Sequence, residues 1–362
     1  MIIVDNLMDV NNGSLNDKEK TKAIRQEISA TGKQFKEKYP IFKHQNAIGL
    51  GLHLLSTLLI ILASILYLKG QLSIYILVPF NAFWMSILHE LEHDTIHYMY
   101  FKKQTWVQDY MLGIGWILRP LTVNPWFRRF LHFNHHRVSG TTTDVEERGV
   151  TNGEKWNLKR LIVTPDLLLG GIFRTRSIRK DIILAIKNGT IKREDALTIK
   201  KISTLGLMPF SLPLYFIWYF FLAHYGIHFI SNLAGLNYVS PDWINNQMLW
   251  INPLVAILIF PNIIRQFSIH FITSNMHYYG DIESGNIMQQ TQILDAWWLF
   301  PFQLFSFNFG QTHGIHHFVV NETFYIRQFT AKKALAIMKA LGVRHNDFGT
   351  FKRANRFNFE KK

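Results

Sequence analysis

The chain has 362 residues, 48% of them hydrophobic and 14% aromatic, with a mean hydropathy just above zero, a balance that suits a membrane protein with sizeable aqueous parts better than a soluble enzyme. It has no cysteine, which excludes disulfides, Cys-ligated zinc, iron-sulfur clusters and CxxCH haem attachment, so any metal must be held by His, Asp, Glu or Asn. The formal charge of +14 is spread over every polar segment without a nucleic-acid module, so no nucleic-acid partner is expected.

Residues 1–45 are polar. DKEKTKAIRQEISATGKQFKEKY predicts a charged surface helix, and no apolar run follows a short basic start as a signal peptide requires, so this segment reads as a cytosolic N-terminal arm. Residues 47–68 are almost wholly apolar and long enough to cross a hydrocarbon core of roughly 30 Å. Lys69, Gly70 and Gln71 break the run, and a second apolar stretch, 72–88, leads into the histidine-bearing sequence HELEHDTIH; the two form a transmembrane hairpin. Residues 98–204 are polar, with basic amphipathic pieces, and predict a cap lying on the membrane. Within them residues 110–121 are apolar but too short to span, as an interfacial helix would be. A second hairpin is expected from 205–230 and 248–269, with Trp243 and Trp250 at the level of an aromatic belt. Residues 295–309 carry Trp297, Trp298 and several phenylalanines, and 331–362 form a basic C-terminal helix and tail.

Of the 39 lysines and arginines, only Lys69 falls in the two loops internal to the hairpins. The positive-inside rule therefore puts the termini and the polar cap in the cytoplasm, beside the cytoplasmic inner membrane if the cell is bacterial. The predicted fold class is all-α: an integral membrane protein with four spans in two helical hairpins and a cytosolic helical cap.

Eleven of the sixteen histidines lie in four short segments. His89, His93 and His97 are spaced by four; His132, His135 and His136 form one HxxHH, and His313, His316 and His317 another; His270 and His277 lie in IHFITSNMHYYGD. Residues at i, i+3 and i+4 share one helix face, so each segment presents a stripe of imidazoles. Facing stripes would make a nitrogen-rich site for one or two first-row metals, and imidazole suits iron, zinc, copper and nickel.

An HxxxH box followed by two HxxHH boxes resembles the membrane fatty-acid desaturase and hydroxylase superfamily, over about residues 47–325. The resemblance implies a two-iron centre with His89, His93, His132, His135, His136, His277, His313, His316 and His317 as ligands, held in a desaturase-like domain over 46–330. The first box reads equally as His93/His97; His89/His93 is preferred because it lies nearer the preceding span. His97 and His270 are then spare. Glu90, Asp94, Asp144, Glu147, Asn275 and Asp281 are candidates to accept the second ring N–H of a ligand or to stand in for one. SNMHYYGD is similar to the corresponding alkane-hydroxylase segment. The implied function is iron- and O₂-dependent oxidation of a fatty acyl chain, desaturation first, with terminal-alkene-forming decarboxylation or hydroxylation as alternatives. With no cysteine and no GxGxxG, electrons must come from outside, from ferredoxin and its reductase or from cytochrome b5 as the resemblance implies; membrane lipids are the other partners.

Two rival readings fit the same residues. His89, Glu90 and His93 also satisfy HExxH, the zinc-protease signature. A metal transporter would instead need its ligands within the membrane path.

Overall fold

The computed structural model describes residues 15–150 and 153–359; residues 1–14 of the expected arm and 360–362 of the tail lie outside them. Among the described residues the chain is helical, with isolated β-bridges and no strand.

The first helix, α1 (Asp17–Lys38), starts where the sequence supplies a capping box: the Asn16 side chain accepts from the Glu19 amide at 3.1 Å, and Glu19 accepts from the Asn16 amide at 2.8 Å. Helices α2 (Gln45–Leu68) and α3 (Ile74–Ile96) form the first hairpin, turned at Gly70 with φ +69°. Then come α4 (Thr105–Leu118), α5 (Pro125–Val138), α6 (Val145–Gly149), α7 (Leu158–Val163), α8 (Leu167–Lys187) and α9 (Arg193–Leu205). The second hairpin is α10 (Ser211–Leu233) and α11 (Asp242–Met276). The chain closes with α12 (Phe300–Phe305), α13 (Phe309–Phe318) and α14 (Phe324–Ala340).

Four helices, α2, α3, α10 and α11, are long and apolar enough to cross a membrane. Leu54, Leu58, Ile61 and Leu62 on α2 are exposed, as lipid-facing side chains must be when the backbone satisfies its own hydrogen bonds. Helices α3 and α11 pack together as the inner pair, and α10 stands at the edge with little of its surface buried. Trp243 and Trp250 are exposed.

Two helices run further than hydropathy predicts. The second span was expected to stop at residue 88, but α3 continues to Ile96, because His89 to Thr95 are buried among polar partners rather than being a solvated helix end. The fourth was expected over 248–269 and extends over 242–276, with a π turn at Val255–Ile259 just after Pro253. Proline has no N–H to donate, and a π turn absorbs the break in the ladder. There Asn81 of α3 donates to the Ile257 carbonyl at 3.0 Å, tying the inner helices together.

The polar helices gather at one end of this bundle. Helix α1 buries Ile24 and Ile28 against Ile315, Phe318 and Met338, so α1 and α14 together clamp α13. The clamp is finished by polar contacts: Arg25 Nε donates to the Phe318 carbonyl at 2.9 Å, and Lys36 meets Glu322 at 2.7 Å. Helices α7 to α9 expose Ile162, Ile172, Phe173, Ile183 and Leu197.

Candidate metal centre

Each histidine segment reaches the centre through a specific helix end. His93 lies in the last turn of α3 and His97 just beyond it; α5 carries His132, His135 and His136; His277 ends α11; α13 carries the last trio. Helix α13 is only ten residues long, and it starts abruptly at Asn308, whose φ of 59° is one asparagine tolerates. At Gly310 a Cβ would sit 2.9 Å from the Leu294 carbonyl, so only glycine lets α13 approach this closely.

The imidazoles converge on two points. His93, His97, His132 and His316 form one group and His135, His277, His313 and His317 the other, with ligand atoms in each within 4.8 Å of one another. His136 is the ninth, its Nε2 3.0 Å from that of His316 and 3.2 Å from that of His132. In the second group His317 Nε2 is 3.1 Å from His277 Nε2, 3.2 Å from His313 Nε2 and 3.4 Å from His135 Nε2.

These ring-to-ring contacts test whether a metal fits. On the outer edges, His132 Nδ1 faces Glu146 at 2.9 Å, His135 Nδ1 faces Asp144 at 2.8 Å, His277 Nδ1 faces the Thr273 carbonyl at 3.0 Å and His317 Nδ1 faces Gln290 Oε1 at 3.2 Å. All four partners are acceptors, so the ring protons sit on Nδ1 and the Nε2 atoms turn lone pairs inward. Two lone pairs about 3 Å apart do not make a hydrogen bond; a cation between them satisfies both, and outer acceptors on the ligands are what metal sites use to fix ring orientation.

Protonation favours the same state. Burial first, then neighbouring imidazoles, holds His132, His313 and His317 far below the ordinary histidine range. His136 and His316 are lowered by the same causes, His277 to about 3 and His97 to about 2. Burial is the largest single influence on His135 as well, but Asp144, Glu147 and Glu146 together outweigh it and raise that ring to about 10, so metal binding there must displace a proton.

The remaining candidates fall elsewhere. Sequence reasoning put His89 among the ligands and held His97 in reserve; the fold brings His97, and not His89, into the first group. His89 joins neither group, its Nδ1 3.4 Å from Arg119 and its Nε2 without a partner. The cause is the extra length of α3, which carries the centre one turn past His89. His270 also stays outside, its Nδ1 2.8 Å from the Thr164 carbonyl. Asp94 accepts from Tyr100 and the Phe324 amide, each at 2.9 Å, and from Arg327 at 3.1 Å; Glu90 lies 3.5 Å from Arg327. These two carboxylates anchor α14 to α3. Glu147 is within 3.3 Å of His277 Nδ1, beside the second group. Asn275 accepts from Trp156 at 2.8 Å and donates to Phe271, and Asp281 holds the amides of Phe357 and Asn358, so neither serves the histidines. Gln290 was not anticipated, and nothing in its local sequence marks it.

HExxH does not form a zinc site here, because His89 and His93 are not brought to one point and Glu90 faces Arg327. Both groups lie at helix ends rather than midway along a span, unlike a transport path.

Beside the histidines is a cleft enclosing about 150 Å³, narrower than the roughly 300–1,000 Å³ usual for small-molecule sites. His93, His132, His135 and His313 line it, and Leu131, Val150, Leu167, Ile269 and Phe309 supply apolar lining.

Four helices able to span a bilayer and buried imidazoles closing on two points define a membrane protein built to hold metal through histidine. A profile of the fatty acid desaturase family matches residues 71–349, a stretch that includes every histidine segment, and the chain belongs to that family of oxidoreductases. The family is generally di-iron, which agrees with two groups of ligands. Neither the curated proteins nor the solved structures give a match.

Proposed function

We propose that this chain is a fatty acyl desaturase that uses two irons and O₂. The observation that carries the reading is the apolar cleft lined by ligands of both histidine groups, since an acyl chain lying in it has its C–H bonds beside the metal positions. His93, His97, His132, His136 and His316 would hold one iron and His135, His277, His313 and His317 the other; bound iron would supply the O₂ chemistry needed to oxidise an unactivated C–H bond. The chain's own part is positioning and dryness. Glu146, Asp144 and Gln290 fix the rings, while Leu131, Ile269 and Phe309 exclude water and align the substrate.

Mass spectrometry of lipids and headspace from cells expressing the protein tests the reaction. An acyl chain lighter by two hydrogens supports desaturation. A volatile alkene one carbon shorter, or a chain one oxygen heavier, overturns it in favour of decarboxylation or hydroxylation.

The sidedness we propose puts the histidine groups in the cytoplasm. Reporter fusions at Lys69 and Ser240 are then expected to lie outside and fusions at Gly153 and the C-terminus inside; an exported Gly153 fusion would refute this orientation.

Electrons would come from ferredoxin and its reductase, or from cytochrome b5. Exposed Lys159, Arg176, Lys180, Lys187 and Lys200 on α7 to α9 give such an acidic donor a basic face. Turnover with ferredoxin should fall as salt rises, because exposed charges are screened beyond about 8–10 Å at 0.1–0.15 M. Salt-independent turnover would mean that this basic face does not bind the donor.

A further inference from the structure

Arg119, Arg128 and Arg265 line the cleft, together with Glu92, Glu146 and Glu147. Glu92 pairs with Arg119 and, at 2.5 Å, with Arg128, which is also 3.6 Å from Glu146. Arg265 makes no ion pair among the described residues: it is 2% exposed, and Glu92 acts on it only from beyond salt-bridge distance. Its guanidinium is nevertheless held in place, because Nε donates to Asn262 Oδ1 at 2.8 Å while the Asn262 amide donates to the Pro120 carbonyl. That leaves Nη1 without a partner, and His89 Nε2, which lines the same cleft, also has none.

Buried polar atoms are nearly always paired, and an uncompensated buried charge destabilises a fold, so a fixed guanidinium of this kind is suited to bind an anion. Both carboxylate and phosphate match the guanidinium fork. One arginine without an ion pair of its own fits a single negative charge, and the apolar lining calls for an amphiphile. His89 is one helical turn, about 6 Å along the axis, before His93, so an anion here would leave its attached chain beside the metal ligands.

We propose that Arg265, positioned by Asn262 and joined by His89, binds the ionised carboxylate of a free long-chain fatty acid, which enters the cleft carboxyl end innermost. The substrate is thus the free acid, not an ester or thioester, a conclusion that rests on the acyl-oxidation reading for its chemistry but on the unpaired arginine for its binding site.

Full-length protein in lipid nanodiscs, loaded with zinc so that no turnover occurs, allows binding to be measured alone. Hexadecanoate is expected to bind saturably at neutral pH, with methyl hexadecanoate and hexadecanoyl-CoA weaker by roughly 10- to 100-fold, the loss of a charge-assisted hydrogen bond. Arg265→Met should weaken the acid by a similar factor, leave the ester unchanged and melt no lower than the parent without ligand, whereas Arg265→Lys should keep most of the acid preference. Equal binding of acid and ester, unchanged acid binding in R265M, or a lower melting point of R265M with both ligands lost would each overturn the proposal; the last would make Arg265 structural. If the acid binds as expected but iron-loaded protein oxidises no acyl substrate, the oxidation reading fails and the carboxylate site stands. Turnover of ester or thioester without selective binding of the acid would sink the carboxylate site alone.

Discussion

Purified protein should contain two irons per chain, one for each histidine group, and His135→Ala, His277→Ala or His316→Ala should abolish turnover together with the loss of iron. Each of these rings turns Nε2 to a shared point within 3.0–3.4 Å of another ligand, so its removal opens the coordination sphere and leaves the remaining lone pairs facing one another. The informative pair is His97→Ala against His89→Ala. His97 belongs to the first group, 3.1 Å from His316, and its loss should lower the iron content; His89→Ala should leave both irons in place. Elemental analysis of the two variants decides between the alternative readings of HxxxH. Iron lost on changing His89 and kept on changing His97 would reverse the assignment made from the structure.

The largest effect on stability is expected at Glu92. This carboxylate is buried with Arg119 and Arg128, its side chain 3% exposed, and it bridges α3 to the segment after α4 and to α5. Glu92→Gln leaves two guanidinium groups facing each other in the interior. Removing one partner of a buried ion pair costs about 3–5 kcal/mol, most of it the penalty of the charge left behind. Thermal unfolding in nanodiscs should show a large drop, while Glu37→Gln, in an exposed pair with Lys33 on α1, should cause no measurable change. A small effect of Glu92→Gln would mean that water reaches this cluster freely.

Sequence alone determined the all-α class, the presence of four spans and the recurrence of imidazoles on single helix faces, because each depends on local spacing: apolar length against bilayer thickness, and i, i+3, i+4 against helical pitch. It could not choose between His89 and His97. Both stand four residues from His93 on one stripe, and spacing is symmetric about the central residue. The choice lies in how far α3 continues, which depends on polar partners distant in sequence: Arg119 and Arg128 for Glu92, and Arg327 for Glu90 and Asp94. Those contacts make residues 89–95 an interior helix where hydropathy reads an end. Gln290 and Arg265 were invisible for the same reason: one becomes a histidine partner and the other a buried guanidinium with an unpaired N–H only when α11 and α13 are packed against α3 and α5, and the energy of a buried polar group depends on what tertiary packing places beside it.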